Sequence, residues 1–122
     1  MLIDFTVSNF RSIKEPQTLS MLATSAKENP DNVFKVDDKI SLLKTSVIYG
    51  ANGSGKSNLV KALEDMAYFV HLSTDHKKGE RIEYYQPFKL DKSYVIKPIT
   101  FELEFLGSDN IRYRYTFSFT EF

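Results

Sequence analysis

The stretch Gly50-Ala51-Asn52-Gly53-Ser54-Gly55-Lys56-Ser57 constrains this chain more than any other. It fits the pattern G-x-x-x-x-G-K-[ST], which 122 residues of ordinary composition meet by accident about once in 300. Glycines let a backbone turn through positive φ and approach an anion closely. Successive N–H groups then form a nest at the positive end of the following helix. The flanks agree with that reading. Ser46-Val47-Ile48-Tyr49 is a short apolar run stopped by Gly50, the pattern of a buried central strand. Beyond the loop, Leu59, Leu63, Met66 and Val70 recur at helical spacing and form one stripe. Val60, Ala62, Ala67 and Phe69 widen it, which predicts a helix covered on more than one side and fading near Ser73-Thr74-Asp75.

The remaining chain supplies strands. Leu2 to Val7 alternates loosely and predicts a strand, broken by Ser8-Asn9-Phe10-Arg11-Ser12; Gln17 to Leu22 predicts a second. Thr24 to Asn32 is a loop by composition, and His76-Lys77-Lys78-Gly79-Glu80 a solvated one. Phe101, Leu103 and Phe105, and then Tyr113, Tyr115, Phe117 and Phe119, alternate with polar residues across the turn Gly107-Ser108-Asp109-Asn110. Both apolar sets are odd-numbered, so a shared face requires paired numbers to sum to an even value. A three-residue loop, Gly107 to Asp109, sets Glu104 opposite Arg112, Glu102 opposite Arg114, Leu103 opposite Tyr113 and Phe101 opposite Tyr115. These tyrosines are then expected to face the core.

Composition narrows the setting. At 42% hydrophobic residues the chain is globular and long enough for one compact domain. No apolar run approaches the roughly 18 residues needed to span a bilayer. The N-terminus lacks the pattern of a signal peptide, and zero cysteines fit a reducing, cytoplasmic setting. Sixteen basic and sixteen acidic groups cancel, and no half of the chain departs far from neutrality. General electrostatic binding of nucleic acid is therefore not expected; such contact would come from a local patch or from further parts of a longer protein. The two histidines are too few and too irregularly spaced for a metal site.

In a loop of this pattern the Lys56 ammonium reaches the β- and γ-phosphates, and the Ser57 hydroxyl is a hard oxygen ligand suited to Mg²⁺. The string GANGSGKSNLVKAL resembles the phosphate loop of the RecF, SMC and OLD-type branch of ABC-class ATPases. The opening, Leu2 to Leu22 with its Asn9-Phe10-Arg11-Ser12, resembles the start of bacterial AAA-type ATP-binding proteins of that group, many tied to DNA repair or anti-phage defence. The likeness covers residues 1 to about 70 well and the rest more loosely. It implies an α/β fold: the first lobe of an ABC-type ATPase head, with a mixed or antiparallel sheet around the P-loop helix. It also implies that Gly50, Asn52, Gly53, Ser54, Gly55, Lys56, Ser57 and Asn58 contact ATP, that Arg11 lies near the nucleotide, and that heads pair around two nucleotides.

Hydrolysis needs a carboxylate for Mg²⁺ and a group that orients water. In that family both follow four apolar residues at a strand end; no such run is present, and Leu106 to Asn110 lacks the paired glycines of an LSGGQ-like string. Residues 1–122 therefore read as the N-terminal portion of a longer ATPase head, expected to bind Mg-ATP and to hydrolyse little alone. Two other readings stay open: a scaffold module with a vestigial loop, and another P-loop enzyme. Gln86 is read as a surface-loop residue rather than a Mg²⁺ contact.

Overall fold

Alternation builds the sheet. The computed structural model describes residues 1–51, 53–72, 74–75 and 77–122. Strand β1 (Leu2–Ser8) buries Ile3, Phe5 and Val7 at every second position. Then follow β2 (Gln17–Ser20), a hairpin of β3 (Val33–Lys35) and β4 (Ser41–Leu43), helix α1 (Lys56–Leu72), β5 (Ile99–Leu106) and β6 (Arg112–Phe119). The main sheet runs β2-β1-β5-β6, and each of these pairings is antiparallel. The fold is thus α/β, an antiparallel sheet with one helix. Parallel pairing, the mixed alternative, does not occur among the described residues.

The helix lies on one sheet face. Ala62 and Met66 join Phe5, Val7, Phe10, Ile99 and Phe101 in one buried cluster, with Leu59 and Leu63 packed against it. Phe69 extends that contact, its ring 4.3 Å from Phe119 and 5.9 Å from Phe117. Each of the fully buried Phe, Val, Ile and Met side chains stabilises the fold by roughly 1.5–3 kcal/mol, and Ala62 by less. A smaller cluster of Ile3, Leu42 and Leu106, with Leu22 and Val36, sits beneath the β3–β4 hairpin. Ile3 reaches it because the register between β1 and β5 shifts between Leu2 and Asp4.

Four sequence expectations are corrected. Ser46–Tyr49 is not a buried central strand: it has no ladder partner, and Val47 is 63% and Tyr49 87% exposed. A central strand needs neighbours on both sides, and the antiparallel sheet closes on its own four strands without it. The helix is covered on one side, not several; Val60 and Val70 are exposed, and the buried stripe turns toward Ala62 and Phe69. The β5–β6 register keeps the even sum but slips by two, so that Glu104 faces Arg114, Leu103 faces Tyr115, Phe101 faces Phe117 and Leu106 faces Arg112. The turn spends five residues, Gly107–Ile111, closed by the Gly107 N–H on the Ile111 carbonyl at 2.9 Å, with Asn110 left-handed at φ 59°. Finally, Tyr113 and Tyr115 are exposed, because α1 covers β6 only at its Phe117 and Phe119 end.

The ion pairs survive the slip. Arg112 pairs diagonally with Glu104, and Arg114 meets Glu104 directly at 3.3 Å and Glu102 diagonally at 3.8 Å. The arginines of the Arg-Tyr-Arg-Tyr string are thereby engaged within the sheet. The expected loop at Thr24–Asn32 holds, with a short 3-10 turn at Pro30–Asn32. Ser73 and His76, placed by sequence at the helix end and in the following loop, lie outside the described residues.

Candidate functional site

The loop between Tyr49 and α1 is shaped by glycine. Gly53 and Gly55 adopt φ 82° and 97°, a region that side-chain-bearing residues rarely enter. The Ser54 N–H bonds the Ala51 carbonyl at 3.1 Å and tightens the curl. Helix α1 starts at Lys56, and the Leu59 N–H reaches the Gly55 carbonyl at 3.1 Å. The N–H groups of Lys56, Ser57 and Asn58 therefore open the helix without a helical acceptor, at its positive end.

Lys56 folds back into that curl. Its ammonium donates to the Gly50 carbonyl, to the Ala51 carbonyl at 2.9 Å and to the Ser54 hydroxyl at 3.5 Å. Cation, opening amides and left-handed glycines all fall within the stretch Gly50 to Asn58, a donor set that suits a polyphosphate. Ser57 is exposed at the first helical turn, where its hydroxyl is available to a hard cation. Asn52, a sequence-predicted contact, lies outside the described residues.

A second element leans on the loop. Asn9 to Ile13 makes a tight turn between β1 and β2, closed by reciprocal Phe10 and Ile13 main-chain bonds at 2.8 Å. From it the Arg11 guanidinium donates to Asn58 Oδ1 at 3.3 Å, and the Asn58 amide donates to the Ser12 hydroxyl at 2.6 Å. A Cβ placed on Gly55 would stand 3.3 Å from the same hydroxyl. Turn and loop thus close on each other through Asn58, and Arg11 stands beside the loop. The sequence reading assigned no role to Ser12; the only signal for it was its place in the Asn9-to-Ser12 string.

Between them opens a cleft of about 540 Å³, floored by Ile13 and Leu59 and reaching Tyr49, Gly50, Gly55 and Lys56. Of the side chains lining it one is acidic, Glu15, and its carboxylate accepts the Tyr94 hydroxyl at 2.8 Å. Lys14 at the rim pairs with Asp91 at 2.9 Å. That bond raises the Lys14 pKa further above its ordinary value, so it stays cationic at any physiological pH. Gln86 does not line this cleft; its carbonyl accepts the Arg11 N–H at 2.9 Å.

Residues 46–122 match the model of a protein family described as "AAA domain, putative AbiEii toxin, Type IV TA system". The matched span takes in the loop, α1, β5 and β6, well over half of the chain. No curated protein and no solved structure matches. Among the described residues no helix is long and apolar enough to cross a membrane.

Proposed function

Because the chain belongs to this family of AAA domains and so to the P-loop ATPase-like nucleotide-binding class, we propose that it binds Mg-ATP in the curl Gly50–Ser57. The observation that carries the reading is the Lys56 ammonium drawn into a loop with two left-handed glycines at the start of a 17-residue helix. Lys56 would hold the β- and γ-phosphates together with the main chain of Gly50, Asn52, Gly53, Ser54 and Gly55; Ser57 would hold Mg²⁺. Bound Mg²⁺ neutralises phosphate charge. Asn58 and Arg11 would complete the pocket, supported by their mutual hydrogen bond.

In finer terms, the chain is the N-terminal portion of an ABC-class head related to RecF, SMC and OLD-type proteins, pairing with a second head when ATP is bound. The Asn9-to-Ser12 opening and the wording of the loop support this. A role in anti-phage defence or in DNA repair rests on that likeness alone; the family's description names a type IV toxin–antitoxin system. Hydrolysis would need a further carboxylate, since the acid lining the cleft is already held by Tyr94.

Calorimetric titration with Mg-ATP tests the reading. Binding is expected for the wild type and its loss for Lys56→Ala, with no sustained turnover by residues 1–122. Equal absence of binding in both proteins would favour a scaffold with a vestigial loop.

A further inference from the structure

We infer that Asn9 is a positioning residue that aims Arg11 at the phosphate loop, an inference that rests on the nucleotide-binding reading above. Asn9 ends β1's run into the turn and is 3% exposed. Its side-chain amide donates to the carbonyls of Tyr94 at 2.9 Å, Lys97 at 2.8 Å and Pro98 at 3.3 Å. Its Oδ1 accepts the Phe88 N–H at 3.0 Å. The buried carboxamide is thus fully used, on main-chain groups 79 to 89 residues further along the chain. The Tyr94 carbonyl also accepts the Lys97 N–H at 3.1 Å, and the Lys97 carbonyl the Tyr85 hydroxyl at 2.6 Å. Removing the carboxamide would therefore chiefly cost the Phe88 N–H and the Pro98 carbonyl their partner and release the turn from this segment.

The backbone carries the consequence to Arg11. Asn9 and Arg11 both adopt left-handed conformations, at φ 54° and 51°. Asparagine does so readily, whereas for arginine the conformation costs roughly 1–2 kcal/mol. Such a residue persists only where its surroundings over-determine it. Here the Arg11 N–H is fixed on the Gln86 carbonyl at 2.9 Å, two residues from the Phe88 that Asn9 grips. Residues 86–98 therefore back the turn, and Asn9 clamps the turn to them. What freedom remains to Arg11 is in its side chain, and that reaches Asn58. Neither Asn9 nor Arg11 lines the cleft itself; Arg11 borders the adjoining cavity and meets the start of α1 through Asn58, and Asn9 acts through Arg11.

The test is a double-mutant cycle on Mg-ATP affinity with wild type, Asn9→Gly, Arg11→Ala and the double variant. Glycine keeps the left-handed backbone accessible while deleting the carboxamide. Each single change is expected to weaken binding about tenfold, and the double variant to bind no more weakly than Arg11→Ala alone. A residue that only supports the fold would add its own loss to that of Arg11→Ala. Multiplying losses, or an Asn9→Gly protein that binds like wild type, would overturn the inference. If the wild type binds and Lys56→Ala does not, either result leaves the nucleotide reading intact; if the wild type does not bind, both fall. Should Asn9→Gly fail to fold, Asn9→Asp serves. Its carboxylate opposes three carbonyls at neutral pH, and protonation restores a donor. Binding relative to wild type is then expected to recover as pH falls, but not when Arg11 is also alanine. No recovery overturns the inference.

Discussion

Asp91 accepts the Ser93 hydroxyl at 2.7 Å and the Ser93 N–H at 2.9 Å, and pairs with Lys14 at 2.9 Å. Those bonds, the Ser93 hydroxyl first, lower its pKa from 3.8 to about 2. A carboxyl with a depressed folded-state pKa contributes stability that is complete above its ordinary value and disappears as pH falls toward the folded one. Acid unfolding followed by circular dichroism should therefore lose an increment between pH 3.8 and about 2, and Asp91→Asn should remove that increment alone. Asp4 has no such set of donors around its buried oxygen. It stands across β1–β5 from Glu104 and keeps one buried carboxylate oxygen without a partner. Asp4→Asn is expected to raise stability by about 0.5–1 kcal/mol, read from the thermal midpoint. At this scale the sequence was partly legible. Lys56 and Ser57 are fixed by spacing within one motif, whereas the partners of Asn9 and Ser12 come from distant chain, which no local pattern encodes.

Secondary elements were legible where a period runs long enough. Strand β1, helix α1 and the β5–β6 pair follow from their spacing, but the three-residue strands of the β3–β4 hairpin are too short to show one. Alternation also fixed the parity of the β5–β6 register, since an odd slip would turn every aromatic side chain over. It left the offset open, because the length of a turn depends on where a left-handed residue falls, and that residue is Asn110. The helix stripe was read slightly rotated, because Val70 and Phe69 are comparably apolar and only the sheet decides between them. Chemical denaturation separates the two faces: Met66→Ala should cost about 2–4 kcal/mol and Val70→Lys less than about 0.5 kcal/mol.

Across the whole molecule, apolar character and burial part company before the loop. Val47, Ile48 and Tyr49 are exposed beside a net charge of zero, a combination that favours association. Ile48→Asp should raise solubility while moving stability by less than about 0.5 kcal/mol, an outcome incompatible with a buried strand at that position. The sheet order has a temporal consequence as well. The central pair joins Leu2–Ser8 to Thr100–Phe105, so the first strand waits for chain made about a hundred residues later. At ordinary ribosomal speed that delay is about 5–20 s, far longer than a helix takes to form. During it, the inner face of the P-loop helix has no sheet to rest on. Nascent chains would stay open to chaperones throughout, and slowing translation between codons 60 and 100 should lengthen that exposure.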